Sequence, residues 1–304
     1  MEAQTEATLP FVSVIIPVFN DTERLLRCLQ ALERQTYPRA RYEVVVVDNG
    51  SDDDVRAALR QHELVVFCCE PRPGSYAARN AGLAIARGEV LAFTDSDCLP
   101  QPDWIERGVA RLSGLPAPGL VAGRITLFFQ HPDRPTAVEL FESLTGFPQQ
   151  KYVEKYHYGA TANVFTWRAV VERVGPFDAT LTSGGDREWG QRVYAAGLPL
   201  LYADDVEVLH PARRTFGELA RKVVRVTNGM EQLRAQQPGS FRSFAKAVIK
   251  DLLPPLAKIR GIWLDRRLKG VGQRFQVTGV LLGLRYTQAW ARVRARAGAL
   301  QHVR

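Results

Sequence analysis

Four short apolar runs punctuate the first hundred residues, and polar segments with helical spacing separate them. The runs cover residues 11–18, 42–47, 64–69 and 89–94. They are continuous and rich in Val, Ile, Leu and Phe, which is typical of strands buried on both faces of a parallel sheet. Strands that alternate with helices form βαβ units, so this pattern predicts an α/β fold.

The second half of the chain carries shorter apolar runs and more loops, so its elements are spaced less regularly. Strands are expected at 121–125, 159–165, 198–202 and 206–209, and helices at 168–174 and from 183 onward. Residues 132–150 form an insertion with several aromatic side chains. Together the two halves predict a mostly parallel sheet flanked by helices.

Acidic residues follow two of the apolar runs. Asp95 and Asp97 come directly after the fourth run, and Asp48 follows the second. Residues i and i+2 of an extended segment point to the same side, and ligands bind at the carboxyl ends of parallel strands. Asp95 and Asp97 can therefore bind one Mg²⁺ or Mn²⁺ that holds a diphosphate. The alternative is a turn in which both carboxylates cap backbone N–H groups.

Charge is distributed unevenly along the chain. The formal net charge is +8, but residues 211–304 hold 20 Lys/Arg against 4 Asp/Glu, and residues 1–210 hold 20 against 28. A basic C-terminal region predicts an anionic partner, a membrane or a nucleic acid, although a solvated helical surface would have the same composition. Because it has no zinc signature and no repeated aromatic–basic pattern, we expect no nucleic-acid partner.

Cysteines and apolar segments bear on the compartment. The four cysteines show no C-x-x-C spacing, so we expect free thiols in a reducing environment. Glu2 and Glu6 lie where a signal peptide would be basic. No apolar run reaches the roughly 18 residues that a single membrane span requires. These features predict a cytoplasmic protein.

Four ordered motifs point to one family. They are VSVIIPVFN (12–20), VVVVDNGSDDD (44–54), GSYAARNAG (74–82) and FTDSDC (93–98). With them the chain resembles the family 2 glycosyltransferases, inverting nucleotide-sugar enzymes of GT-A fold. Further likeness in the second half, including Gly175-x-Phe177-Asp178 and Gly185-Asp186, extends the resemblance over roughly residues 11–215.

The resemblance implies a donor site for a nucleoside-diphosphate sugar, with uridine as the expected nucleoside. Asp97 would bind Mn²⁺ or Mg²⁺ directly, and Asp95 would contact the ribose or the metal. Asp48 would accept a hydrogen bond from the uracil imide. The other residues expected at the nucleotide are Pro17, Phe19, Asn20, Ser51, Arg79 and Ser96. His210 would be a third metal ligand or a diphosphate donor, or else a structural histidine.

The resemblance also implies a general base and an acceptor site. Family members usually have Glu-Asp at the corresponding helix start and another Asp two residues on, whereas this chain has Gly185-Asp186 and then Glu188. Asp186 is the candidate base, with Glu188 the alternative and helix capping the structural reading of Asp186. The residues expected at the acceptor are Asn163, Trp167 and Trp189. The Q-x-x-R-W signature of processive members is absent, which favours transfer of a single sugar.

These assignments give a domain plan. Residues 1–10 are a loose leader, 11–215 a GT-A catalytic domain, and 216–304 a basic helical region. Within the catalytic domain, 11–100 is the nucleotide-sugar half and 101–215 the acceptor half. Two other functions are compatible with parts of the pattern: a nucleotidyltransferase, which usually needs a Gly-rich basic loop after the first strand, and a non-catalytic sugar or nucleic-acid binder.

The basic helical region shows apolar stripes beside its charges. Val277, Leu281, Leu284 and Trp290 could share one helix face, and residues 262–264 add apolar bulk. Basic charge next to Trp and Leu predicts a helix in the membrane interface, so we expect residues 242–304 to bind anionic bilayers on the cytoplasmic face. A lipid, a lipid-linked sugar or a cell-surface glycan precursor would be the acceptor. Alternatively these stripes pack on the catalytic domain or form a homodimer.

Overall fold

The computed structural model describes residues 9–62, 65–235 and 240–301. Most of the expected leader, Leu64 at the start of the third apolar run and the last three residues of the basic region lie outside this range. The described residues form two compact units. The first contains residues up to Thr126 with Phe147–Thr180 and Gly185–His210, and the second contains Leu127–Gly146, Leu181–Gly184 and the chain from Pro211.

The first half of the sheet is parallel, as the continuous apolar runs predict. Strand β1 (Val12–Val18) pairs with β2 (Tyr42–Asp48) on one side and with β4 (Val90–Thr94) on the other. Strand β3 (Val65–Cys69) extends the sheet beyond β2. The connecting helices are α1 (Thr22–Leu32), α2 (Val55–Ala58) and α3 (Ser75–Ile85). All four strands therefore end at one edge.

The second half adds antiparallel strands, so the complete sheet is mixed. The order is β3-β2-β1-β4-β7-β6-β8-β5. Its later strands are β5 (Leu99–Pro100), β6 (Leu120–Phe128), β7 (Asn163–Trp167) and β8 (Leu200–Pro211). The pairs β4–β7, β6–β7 and β5–β8 are antiparallel. Mostly parallel pairing is thus correct for the first half only, and the two strands expected within 198–209 are one continuous strand.

Helices of the middle segment position the site. They are α4 (Trp104–Ser113), α5 (Ala137–Thr145), α6 (Gln149–Tyr156), α7 (Arg168–Val174) and α8 (Gly185–Ala195). The expected insertion at 132–150 contains α5 and the start of α6. Helix α5 begins with a reciprocal capping box, in which Thr136 and Glu139 satisfy each other's backbone N–H groups.

The second unit contains a helical bundle with its own core. The C-terminal helices are α9 (Phe216–Ala235), α10 (Ser240–Leu252), α11 (Leu256–Leu264) and α12 (Gly270–Gln301). Val277, Leu281 and Leu284 are buried against Leu219 and α5. Three of the four residues of the expected membrane-facing stripe are therefore core residues, which corrects that expectation. The predicted helical region 216–304 also shares this core with α5, which lies earlier in the chain.

A buried ion network joins three of these helices. Arg292 in α12 pairs with Glu231 of α9 and with Asp251 of α10. The distance from Arg292 Nε to Asp251 Oδ2 is 3.0 Å. Arg285 adds a second guanidinium 3.2 Å from Asp251 Oδ1. Pairing and hydrogen bonding allow these charges to be buried.

Candidate active site

The turn after β4 carries the two aspartates singled out by the sequence. Asp95 and Asp97 are both partly buried, and the Cys98 N–H closes the turn on the Asp95 carbonyl at 3.1 Å. Val18 of β1 is in register with Asp48 of β2, so the loops after these strands reach the same edge. Parallel pairing thus creates the site: the chain returns to this rim at the end of each strand.

Arg79 connects Asp95 to the rest of the site. It lies in the second turn of α3, is 3% exposed, and forms an ion pair with Asp95 Oδ1. Its Nη1 also donates to the Ser75 carbonyl at 3.3 Å. Its Nε is buried and has no hydrogen-bond partner among the described residues. A buried guanidinium with a donor to spare is suited to a phosphate oxygen.

His210 lies beside Asp97 because of strand pairing. Leu99 of β5 is in register with Leu209 of β8, which brings the next residue of β8 to the Asp97–Cys98 turn. His210 Nε2 is 3.5 Å from Asp97 Oδ1. Its ring also packs 4.8 Å from that of Phe147. The expected proximity of His210 to the aspartate pair is therefore present in the fold.

Asp97, Cys98 and His210 form a candidate metal site. Their ligand atoms all lie within 4.8 Å of one another. Burial raises the pKa of the Cys98 thiol, and the neighbouring aspartates raise it further. A metal binds the thiolate rather than the thiol, so the carboxylate and the imidazole are the better donors. An oxygen and nitrogen pair fits Mn²⁺, and the carboxylate also fits Mg²⁺.

Asp186 begins α8 in a desolvated environment. Its Oδ1 accepts from the Arg187 N–H at 2.9 Å and from the Tyr76 hydroxyl at 3.3 Å. Burial raises its pKa, against the opposing effects of the Arg187 N–H, Arg79 and the Tyr76 hydroxyl, and the Asp95 carboxylate raises it further. A raised pKa increases proton affinity, as a general base requires.

Gly185 explains why the chain departs from the family's Glu-Asp at this helix start. A Cβ at this position would lie 2.7 Å from the Tyr76 ring, which is closer than packing allows. The missing side chain therefore makes room for the tyrosine whose hydroxyl contacts Asp186. Tyr76 in turn stacks on Phe177, with ring centroids 5.9 Å apart.

Two further tyrosines lie near Asp186, and the sequence analysis did not identify them. Tyr152 of α6 and Tyr158 stack with centroids 4.7 Å apart. Burial raises the pKa of both hydroxyls, and the negative charge of Asp186 adds to the effect in each. The only signal in the sequence was a cluster of aromatics at the end of the insertion. A helix-to-strand crossover from residue 149 to 163 brings them to the site.

Glu188, the alternative base, is paired with an arginine of its own helix. Its two carboxylate oxygens lie 2.6 and 3.0 Å from Arg192 Nε and Nη2. Arg192 also donates to the Pro176 carbonyl at 2.7 Å. The pair connects α8 to the turn after α7, which favours Asp186 over Glu188 as the candidate base.

The three predicted acceptor residues do not face the site. Asn163 is fully buried; its Oδ1 accepts from Trp104 Nε1 and its Nδ2 donates to the Arg124 and Val206 carbonyls. Trp189 is 1% exposed and donates to the Gly175 carbonyl. Trp167 is paired with Val90, at the end of β4 opposite the aspartates. The structure therefore does not bring the three acceptor candidates together at the rim, and the acceptor site stays a prediction.

The expected nucleotide residues divide into an open group and a group that stabilises loops. Phe19 is 60% exposed, and Pro17 is partly buried near the end of β1. The side-chain amide of Asn20 donates to the Asp52 carboxylate and accepts from the Asp52 backbone N–H. The backbone N–H of Asn20 donates to Ser51 Oγ. Asp48 Oδ1 accepts from the Ser51 N–H at 3.0 Å.

Two other polar residues at this rim differ from expectation. Ser96 is buried, and its hydroxyl donates to Asp21 Oδ2 at 3.2 Å, so it orders the rim rather than facing a ligand. Asn49, which the sequence analysis did not assign, donates to the carbonyls of Glu70 and Arg72 and accepts from the Gly74 N–H. Its one side chain thus joins the loop after β2 to the loop before α3.

Comparison with known proteins identifies the family. The description "Glycosyl transferase family 2" matches residues 13–174, which span β1 to the end of α7. The chain belongs to glycosyltransferase family 2. Its similarity to a glycosyltransferase of Haloferax volcanii, AglE, is 40% identity over 98% of this chain and 97% of that protein. The protein is therefore a glycosyltransferase, as the ordered motifs indicated.

Other members of the family are similar over a shorter range. Validoxylamine A glucosyltransferase of Streptomyces hygroscopicus is 30% identical to this chain, and the match covers 63% of this chain and 53% of that protein.

Among solved structures, a mannosyltransferase of Pyrobaculum calidifontis in complex with GDP-Man and Mn²⁺ superposes with a TM-score of 0.59. The two sequences are 21% identical, and the match covers 97% of this chain and 76% of the mannosyltransferase chain. This likeness confirms the GT-A fold of the family 2 enzyme.

Proposed function

We propose that this family 2 glycosyltransferase transfers one sugar from a nucleoside-diphosphate sugar to an acceptor hydroxyl by a single, inverting displacement. The observation that carries the proposal is the linked set Asp95–Arg79–Asp186, with Asp97 and His210 beside it. Donor activation and proton removal, the two requirements of the reaction, then have separate side chains on one rim.

On the donor side, Asp97 and His210 are the residues that would hold Mn²⁺ or Mg²⁺. A divalent cation at this place neutralises the charge that grows on the departing nucleoside diphosphate. Arg79 supplies positive charge beside the diphosphate and stays oriented by Asp95. Asp48 and Phe19 form the base pocket. Uridine is the expected nucleoside from the family resemblance, and the choice among nucleosides stays a prediction.

On the acceptor side, Asp186 removes the proton from the attacking hydroxyl. Its raised pKa strengthens it as a base, and Oδ1 is held by the Tyr76 hydroxyl and the Arg187 N–H, which leaves Oδ2 to accept the proton. The stacked Tyr152 and Tyr158 replace the tryptophans as the acceptor wall, since aromatic faces pack against sugar C–H groups. Inversion follows when this hydroxyl attacks the sugar face opposite the diphosphate.

The proposal extends to acceptor class and location. The acceptor is a lipid-linked sugar, a lipid or a cell-surface glycan precursor, and the enzyme works peripherally on the cytoplasmic face of the membrane. The basic composition of residues 211–304 supports this location. A homodimer is the competing use of the C-terminal helices.

Asp186→Asn tests the base assignment. The substitution keeps shape and the bonds to Oδ1 but cannot accept a proton at neutral pH. We expect donor binding to remain and transfer to fall by about 10²–10⁴. The measurement is single-turnover transfer beside calorimetric titration with donor. Glu188→Gln is the matched control; if it loses transfer and Asp186→Asn does not, the assignment of the base is wrong.

A donor screen tests the nucleotide. Thermal shifts with UDP-, GDP- and dTDP-sugars, each with and without Mn²⁺, should give one nucleoside whose stabilisation requires the ion, because ligands that bind only the folded state raise the melting temperature. Asp48→Asn should abolish the preference among nucleosides while leaving the stabilisation by Mn²⁺ and diphosphate. Equal stabilisation by all three would contradict a base-specific contact from Asp48.

A further inference from the structure

Exposed hydrophobic side chains concentrate in a short part of the C-terminal helices. Of the seventeen large hydrophobic side chains that are exposed among the described residues, eight lie between 249 and 275. They are Ile249, Leu252, Leu253, Leu256, Trp263, Leu264, Val271 and Phe275, and are called here the 249–275 surface. Single exposed apolar residues are ordinary, but a concentrated set marks an interaction site.

The local geometry brings these side chains together. Leu253 closes α10 through its N–H to the Ile249 carbonyl at 3.1 Å, and two prolines then lead directly into Leu256. Within α11, positions 256, 263 and 264 fall within about 100° of the helix circumference. The Trp263 ring meets Phe275 of α12 edge-on, with centroids 5.0 Å apart. The surface is therefore one region formed by α10, α11 and α12.

These leucines are not core residues that happen to be partly visible. Leu256 is 74% exposed and Leu264 68% exposed, whereas Ile262 in the same helix is 5% exposed and packs in the bundle core. The described bundle core is therefore formed by other side chains, and these leucines are available for contacts at the surface.

The charge around these side chains has one sign. Residues 249–275 contain seven Lys/Arg and two acids, Asp251 and Asp265. Asp251 is buried and paired with Arg285 and Arg292, and Asp265 is paired with Arg267 at 2.7 Å. Lys250, Arg260, Arg266 and Lys269 are exposed around the hydrophobic side chains. The net field of this surface is cationic.

We propose that the 249–275 surface docks the enzyme on an anionic lipid bilayer. The leucines, Trp263 and Phe275 enter the boundary between headgroups and acyl chains, and the surrounding Lys/Arg side chains contact anionic headgroups. No described helix is long and apolar enough to cross a membrane. In this proposal the helices that carry the 249–275 surface lie in the membrane plane. This deepens the location given in the proposed function and is independent of the transfer chemistry.

A second copy of the chain fits this surface poorly. A two-fold interface would place each cationic patch against itself, and like charges around a buried apolar centre oppose association. A bilayer offers both an apolar interior and complementary charge. Aromatic side chains such as Trp263 are also enriched at membrane interfaces.

Vesicle flotation of the full chain tests the proposal. The probes are phosphatidylcholine vesicles with and without phosphatidylglycerol, at low and at high salt. We expect the wild-type protein to float with the anionic vesicles at low salt and to be released by high salt. Leu253→Glu/Leu256→Glu should lower the fraction bound by at least about tenfold, because two apolar anchors are lost and negative charge is added.

Ile85→Glu is the control for a glutamate placed at an exposed apolar position outside the 249–275 surface; it adds one negative charge where the double variant adds two, and it should leave flotation unchanged. Circular dichroism and light scattering of each variant separate lost binding from misfolding and report the oligomeric state. Flotation does not require a donor or an acceptor, so its result is independent of the transfer assay. The proposal is overturned if the wild-type protein stays soluble, if both variants bind equally, or if the leucine variant only dissociates a dimer.

Discussion

Two aspartates of the same site have opposite surroundings. Asp97 lies near cations and polar atoms, with His210 Nε2 at 3.5 Å and Arg24 Nη1 at 3.9 Å. Asp186 lies in a region of buried tyrosines, where desolvation raises its pKa. Identical side chains thus have different surroundings, which suits the proposed division of tasks: Asp97 for binding a metal cation and Asp186 for accepting the proton of the acceptor hydroxyl.

Arg79 is the element that both surroundings share. It is paired with Asp95 next to Asp97, and its charge also lowers the pKa of Asp186. A change of charge near Asp95 can therefore alter the pKa of Asp186 through Arg79. Variants that change the environment of one aspartate at a time test this link.

Asp97→Ala should have the largest effect because it removes the carboxylate of the candidate metal site. We expect transfer to fall by about 10³ or more, and thermal stabilisation by Mn²⁺ with nucleoside diphosphate to disappear. Asp204→Ala, at an exposed aspartate of β8, is the control for loss of a surface charge. Chelation of the wild-type protein should reproduce the loss reversibly. Undiminished transfer in Asp97→Ala would remove the distinction between the two aspartates.

Arg79→Met should have an intermediate effect that appears on both sides. Loss of the diphosphate donor should reduce transfer by about 10², the size typical of an electrostatic contact in a site that excludes water. The acid limb of the pH–rate profile should also move to higher pH, because a charge that lowers the pKa of Asp186 is gone. Arg87→Met, at an exposed arginine, is the control. An unchanged acid limb would show that the two sides are independent.

Tyr76→Phe should have the smallest effect and should act on one side alone. The hydroxyl donates to Asp186, which favours the ionised carboxylate, so its removal raises the pKa of Asp186 further. Because the base must be ionised, the acid limb should shift to higher pH while the rate on the alkaline plateau changes little. Tyr202→Phe, whose hydroxyl donates to Asp204, is the control. A uniform loss of rate without a shift would indicate that Tyr76 only supports the fold.

The donor half was predictable because its logic is local. Continuous apolar runs specify parallel strands, and each strand delivers the residues that follow it to the same rim, so Asp48, Asp95 and Asp97 could be placed from sequence alone. His210 was also expected there, although only the antiparallel β5–β8 register explains why. Motif order supplied the rest.

The acceptor half was less predictable because its side chains are assigned by long-range packing. Asn163 and Trp189 have the chemistry of a sugar site, but their polar atoms are satisfied within the core. Whether Trp167 faces a cleft or the interior depends on the antiparallel register of β7, and for Trp189 it depends on which face of α8 packs into the core. One sequence specifies neither. The same holds for Val277 and Leu281, whose stripe suits a membrane as well as a bundle core.

The hydrogen bonds of Asn49 have an entropic consequence for donor capture. Ordering the backbone of a loop costs about 1–2 kcal/mol per residue, and here that cost is met during folding, since one amide already joins the loops on either side of β3. A nucleotide arriving at this rim would find its walls in place. Its binding would then lose little protein freedom, and selectivity would rest on contacts rather than on induced closure.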